Sequence, residues 1–188
     1  YEKKIILFPG RLTSWKGQEM FIESLNIFKQ KNPDKLFYAI ILGSDQGRKI
    51  YKKKIQRLVE QYRLIQDILF IDNFEKMPLA YKISNMVINC SIEPESFGRV
   101  AVESQAMEKV IVASDIGGSK ETIIDNKTGF LFKAGDVNAL SEKLAHIFEL
   151  DETTLKSMGI EGRKNVIKKF NVEKMCFSTY SEYKKLIS

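Results

Sequence analysis

The chain has 188 residues, enough for one domain with a substantial core, and its 44% hydrophobic content is that of an ordinary globular protein. Its longest apolar runs are strand-sized, which excludes a bilayer-spanning helix, and its net charge of +6 comes without the stacking aromatics or motifs of a nucleic-acid binder. Two distant cysteines, Cys90 and Cys176, exclude a disulfide framework and point to a reducing, cytoplasmic compartment. In chain order, β-branched and apolar runs predict strands over 4–8, 36–43, 67–72, 86–90, 110–114 and 129–133. Helical periodicity covers 17–31, 48–63, 76–84, 98–108 and 136–149, and two further helices, 152–170 and 172–187, close the chain. This alternation implies an α/β domain of Rossmann type spanning 1–188, with a parallel sheet and helices on both faces. No repeat, low-complexity segment or linker interrupts it. Tyr1 stands almost on the first strand with no leader or initiator methionine ahead of it, which reads as an excised fragment.

Three clusters fall at the carboxyl edge of the predicted sheet, where loop amides and helix N-termini converge on ligands. The first is Gly10-Arg11-Leu12-Thr13-Ser14-Trp15-Lys16-Gly17, a glycine loop between a strand and a helix. Arg11 offers a planar fork of donors that matches phosphate oxygens, and Lys16 supplies a mobile point charge beside the helix start. The loop has neither the Gly-Lys-Ser/Thr of a Walker sequence nor a dinucleotide fingerprint. Two solvated cations in a surface turn are the alternative.

The second cluster is Glu95-Ser96-Phe97-Gly98-Arg99-Val100-Ala101-Val102-Glu103, which follows the buried run Met86-Val87-Ile88-Asn89-Cys90. Glu95 falls in a loop and Glu103 on an otherwise apolar flank of the next helix, where a carboxylate needs a partner. That partner is either Arg99, one helical turn back, or the hydroxyls of a ligand. The third cluster, Ser114-Asp115-Ile116-Gly117-Gly118-Ser119-Lys120-Glu121, pairs two glycines that let backbone amides approach a ligand or merely turn tightly.

In this fixed order the three clusters, together with Asp125-Asn126-Lys127-Thr128-Gly129-Phe130-Leu131, resemble the C-terminal, donor-binding half of a retaining GT-B glycosyltransferase of family four. Pro9-Gly10-Arg11-Leu12-Thr13 and Trp15-Lys16-Gly17-Gln18 are similar to a bacterial branch that builds cell-envelope polysaccharide or lipopolysaccharide. The resemblance implies a hexosyltransferase that uses a nucleotide-diphosphate sugar as substrate, needs no cofactor or metal, and acts on a glycan or lipid-linked acceptor.

It also implies roles. Arg11 and Lys16, beside Gly10, would hold the diphosphate and neutralise it as it leaves. Glu95, with the backbone around Phe97, Gly98, Arg99 and Val100, would bind the donor sugar, and Glu103 would accept from both ribose hydroxyls. Gly117 and Gly118 would line the sugar and diphosphate region. Phe74, in Ile71-Asp72-Asn73-Phe74, falls where the family surrounds the nucleobase; Asp72 departs from the small glycine usual there, which leaves the base open. The helix from 171 to 188 would pack toward an N-terminal GT-B domain absent from the chain, leaving Met175, Phe177, Tyr180 and Tyr183 without part of their partner; local packing of these side chains against this domain is the alternative. A glycogen-synthase or phosphorylase-like enzyme and a non-catalytic nucleotide-sugar-binding module are the alternatives.

The positive charge concentrates in Arg48-Lys49, Lys52-Lys53-Lys54 and Arg57, and in Arg163-Lys164 with Lys168-Lys169. Two readings stand: peripheral contact with an anionic membrane at its inner face, or the solvated faces of two helices. No Cys or His spacing suits a metal, no Asp-x-Asp occurs, and the sole histidine, His146, lies on a helix away from the clusters.

Overall fold

The computed structural model describes residues 3–187; Tyr1, on which the reading of an excised fragment rests, and Ser188, the end of the expected terminal helix, lie outside the described residues. Six parallel strands, β1 (Lys4–Pro9), β2 (Phe37–Leu42), β3 (Ile68–Ile71), β4 (Met86–Asn89), β5 (Val110–Ser114) and β6 (Phe130–Phe132), form one sheet in the order β3-β2-β1-β4-β5-β6. Helices α1 (Gln18–Lys31), α2 (Lys49–Gln61), α3 (Met77–Ile83), α4 (Arg99–Ala106), α5 (Ser119–Thr122), α6 (Val137–Glu149), α7 (Glu152–Lys169) and α8 (Val172–Ile187) complete the chain. The expected Rossmann-like architecture is what the strands build.

Continuous apolar runs give these strands two buried faces, because successive side chains alternate across the sheet. In β1, Ile6 and Phe8 join one core with Phe21, Leu25 and Phe28 of α1 and Leu140, Leu144 and Ile147 of α6. Leu7, between them, joins the opposite core with Val87, Ala101, Ile111 and Tyr81. The strand order reverses between β1 and β4, which pair only through Ile6 with Met86 and Leu7 with Val87. Beyond that short pairing the chains leaving β1 and β4 part, and a crevice opens at the switch point where open α/β sheets take ligands.

Two elements escape sequence patterning. Ser119–Thr122 forms a single helical turn where a glycine turn is expected, and Ser14–Lys16 forms a 3-10 turn before α1. The Asp125–Leu131 motif closes a turn on itself: Asp125 Oδ1 accepts from the Leu131 amide at 2.8 Å, and Thr128 Oγ1 from the Ile124 amide at 2.9 Å. No residue of α8 is buried, so Met175, Phe177, Tyr180 and Tyr183 find no core in this domain. Among the described residues, no helix is long and apolar enough to cross a membrane. Both basic runs lie on helices and are partly ion-paired: Lys52 with Asp72 and Lys54 with Glu19 along α2, and Arg163 with Glu108 and Lys164 with Glu161 along α7.

Candidate functional site

The crevice between the β1 and β4 loops is a cleft of about 520 Å³ lined by Gly10, Arg11, Trp15, Lys16, Glu95, Ser96, Phe97, Gly98, Arg99, Val100 and Glu103. Residues from the first two sequence clusters therefore meet around one space. Close backbone packing builds its floor. The Gly10 amide donates to Leu42 O at 2.9 Å, and a Cβ on Gly43 would fall 2.1 Å from Gly10 O. Gly17, at φ +81°, lets α1 begin against β4, where a Cβ would strike Cys90 O at 2.1 Å.

The two cations of the first loop differ. Arg11 is exposed and has no ion-pair partner among the described residues. Its backbone is fixed from beneath by the wholly buried Gln18, whose Nε2 donates to Arg11 O at 2.8 Å while Tyr51 donates to Gln18 Oε1 at 3.1 Å. Lys16 is not the mobile point charge expected from sequence. It is buried, lies 4.6 Å from the centre of the Trp15 ring, and donates to Glu95 Oε2 at 2.7 Å.

Glu95 is held at both oxygens, since Ser91 Oγ donates to Oε1 at 2.5 Å. Burial raises its pKa, but the hydrogen bonds from Lys16 and Ser91 and the Lys16 charge outweigh that, so the carboxyl sits below its ordinary value. Gly98, at φ +74°, opens α4, and no side chain caps that helix. Gly98, Arg99 and Val100 line the cleft, so the first turn of that helix, the end that favours anions, forms part of its wall.

Glu103 meets the Arg99 partner that the sequence offered and a second one, Tyr81, that it did not. Arg99 Nε lies 3.3 Å from Oε1, and the buried Tyr81 donates its hydroxyl to Oε2 at 2.8 Å. Burial, then the Glu103 charge and hydrogen bond, push the Tyr81 pKa far up, so this phenol stays a donor. Each carboxylate oxygen keeps a free lone pair for a ligand. Tyr81, Gln18 and Ser91 are members of the site that sequence reading missed; Tyr81 and Gln18 reach their partners through the tertiary fold, with no local signal, whereas Ser91 lies four positions before Glu95. The position of α4 is itself fixed by α5 and α7: Gln105 Nε2 donates to Thr122 O of α5 at 3.0 Å, and Gly159 of α7 passes so close that a Cβ would sit 2.2 Å from Glu108 O.

Gly117, Gly118 and Phe74 do not line the cleft. The glycine amides approach the Glu95 loop: Gly118 N donates to Glu95 O at 2.8 Å, and Cβ atoms on Gly117 and Gly118 would fall 2.5 Å from Glu95 O and 2.4 Å from Phe97 O. They set the position of the loop that faces the cleft. Phe74 is exposed, and Asp72 turns to Lys52 of α2 at 2.6 Å, so its charge is met outside the cleft. Phe97 stacks edge-on with Phe170 at 5.6 Å, where α7 gives way to α8. Among the described residues no three His, Cys, Asp or Glu side chains are grouped to hold a metal.

The family model described as Glycosyl transferases group 1 matches residues 1–165. The chain is similar to a D-inositol 3-phosphate glycosyltransferase of Corynebacterium glutamicum (strain R), at 28% identity over 155 residues, covering 81% of this chain and 37% of that protein. It is similar also to the capsular polysaccharide biosynthesis glycosyltransferase CapM of Staphylococcus aureus, at 26% identity over 175 residues, covering 89% of this chain and 42% of that protein. Among solved structures, the glycosyltransferase of Rickettsia africae ESF-5 matches with a TM-score of 0.93 and 32% identity, covering 100% of this chain and 49% of that chain. The chain thus spans about two fifths of the length of these curated relatives.

Proposed function

We propose, from the premise that this chain belongs to the group 1 glycosyl transferases, that it is the domain that binds a nucleotide-diphosphate sugar in a retaining hexosyltransferase. The fold is that of the C-terminal half of a GT-B enzyme. The observation that carries the reading is the convergence, in one cleft, of an Arg11 with no ion-pair partner among the described residues, a Lys16–Glu95 pair and an uncapped α4 N-terminus, with Glu103 oriented by Tyr81. Cations and amides suit a diphosphate. Carboxylates suit diols, Glu95 those of the donor sugar and Glu103 those of the ribose.

In the reaction, Arg11, Lys16 and the α4 amides meet the charge that develops on the departing nucleoside diphosphate. A leaving phosphate that accepts the acceptor's proton on the same face gives retention and requires no general base from this chain. We assign the acceptor to a glycan or lipid-linked saccharide of bacterial surface polysaccharide or lipopolysaccharide, made at the cytoplasmic face of the membrane. The likeness to CapM supports that class.

Because the chain spans only part of its relatives, binding without transfer is the expected behaviour of this chain by itself. Calorimetry with UDP-, GDP- and ADP-sugars tests the donor reading. Binding of one of them, lost in Arg11→Ala and Lys16→Ala, supports it; no binding of any would remove it.

A further inference from the structure

Trp15 borders two clefts. One is the candidate donor cleft; the other, of about 630 Å³, lies on its far side against the start of α2. We propose that this second cleft is an acceptor-side subsite for an acidic saccharide, a sugar ring carrying a phosphate or similar anionic group. Its acceptor role rests on the donor reading of the first cleft.

The lining combines the two chemistries such a ligand needs. Arg48, Lys49 and Lys54 supply cations, and no carboxylate is among the residues that line the space. Lys54 is paired with Glu19 and adds no net charge. Arg48 touches only neutral oxygens, Asp45 O at 3.4 Å and Gln46 Oε1 at 3.2 Å, and Lys49 has no ion-pair partner among the described residues. Two full charges therefore stand uncompensated at the mouth of a concavity. They coincide with the first turn of α2, which holds no acidic residue and no side-chain cap, so its free amides add to the attraction for an anion.

The same space is lined by Trp15 and the hydroxyl residues Thr13 and Ser14 of the first loop, and by Tyr51 of α2. Indole and phenol rings present an apolar body that a saccharide ring packs on, with polar atoms at the edge. Thr13 is the unusual member. It is buried, 5% exposed, yet its hydroxyl has no hydrogen-bond partner. A buried hydroxyl without a partner is costly, so this wall of the cleft carries an unmet polar group. Position completes the inference: Trp15 carries Lys16 Nζ at 4.6 Å from its ring centre, so a group in the second cleft lies one indole away from the Lys16–Glu95 pair.

The test is a ¹⁵N–¹H titration of the chain with glucose 6-phosphate, glucose and inorganic phosphate in turn, each with and without the nucleoside diphosphate that binds among UDP, GDP and ADP. Glucose 6-phosphate is expected to move the amides of Gly47 and Lys49, to do so with the nucleotide bound, and to bind about tenfold more tightly than glucose or phosphate alone. The double variant Arg48→Ser/Lys49→Ser should lose about tenfold in glucose 6-phosphate affinity, with its nucleotide affinity unchanged and its spectrum otherwise preserved. Displacement by the nucleotide, inorganic phosphate binding as tightly as glucose 6-phosphate, or full affinity in the double variant would overturn the subsite. The two readings fail separately. Nucleotide that moves the Arg11 and Glu103 amides without any glucose 6-phosphate binding overturns the subsite alone, and the reverse overturns the donor assignment.

Discussion

Lys16 Nζ reaches Glu95 Oε2 at 2.7 Å across 79 positions of sequence, joining the loop after β1 to the loop after β4 at the point where the strand order reverses. The pair does two things at once. It closes the floor of the cleft, and it keeps a cation and a carboxylate oriented at the place where diphosphate and sugar of a donor would meet.

Glu95→Gln should destabilise the domain at neutral pH by about 1–3 kcal/mol, because Lys16, with a side chain only 10% exposed, loses its countercharge. The pH dependence follows from the direction of the shift. The folded pKa of Glu95 is lowered, so its contribution is complete above the unfolded carboxyl range and is lost as pH falls through the folded value. Urea melts of both proteins from neutral to acid pH should show the gap between them narrowing on acidification; a constant gap counts against the pair as the source.

Arg11 and Lys16 should separate in their effects. Both alanine variants are expected to weaken nucleoside-diphosphate binding by about 1–3 kcal/mol, the scale of a charge-assisted hydrogen bond. Only Lys16→Ala should also lower stability, since Arg11 makes no ion pair among the described residues. Calorimetry paired with thermal melts reads both. Unchanged affinity in two folded variants would remove the diphosphate assignment.

Tyr81 fixes the Glu103 carboxylate from below, so Tyr81→Phe should weaken a ribonucleotide by about 0.5–1.5 kcal/mol while leaving its 2′,3′-dideoxy analogue nearly unaffected. Glu103→Gln should do the same more strongly, because it replaces an acceptor oxygen with a donor. If either variant weakens both ligands equally, Glu103 serves only its Arg99 and Tyr81 contacts.

Gly118→Ala places a methyl 2.4 Å from Phe97 O, a backbone atom that cannot swing aside, and should cost about 1–3 kcal/mol by overpacking. The displaced segment carries Glu95 and Phe97, so donor-sugar affinity should fall with stability. A variant of unchanged melting temperature and affinity would show the loop to be more compliant than its packing implies.

The sheet was legible because its strands are continuous apolar runs, Val110-Ile111-Val112-Ala113 among them, and the glycine loops marked their carboxyl ends. The cleft's membership was legible to the extent that Arg11, Lys16, Glu95 and Glu103 follow such strands. What sequence could not supply were contacts between distant segments. Nothing near Tyr81 announces a hydroxyl bonded to Glu103, nothing near Gln18 announces its hold on Arg11 O, and Asp72 gains its meaning from Lys52, twenty positions earlier. Gly117 and Gly118 were readable as points of close backbone approach, but the segment they approach is the Glu95 loop, a fact fixed by how β5 lies beside β4.

The full-length enzyme should transfer sugar in the presence of EDTA. A divalent ion in such a reaction would neutralise the leaving diphosphate, and in the proposed mechanism Arg11, Lys16 and the uncapped amides of α4 already meet that charge. Glu95→Ala in that enzyme should lower turnover more than nucleoside-diphosphate affinity, since the contact assigned to it is with the sugar, and an interaction made to the reacting group shows in kcat. Part of its effect will pass through Lys16, freed from its partner and still within reach of the phosphates, which tends to preserve nucleotide binding while the sugar loses its anchor. Steady-state kinetics and product inhibition by the nucleoside diphosphate separate the two quantities. Strict dependence on Mg²⁺ or Mn²⁺, or full turnover by the Glu95 variant, would defeat the mechanism.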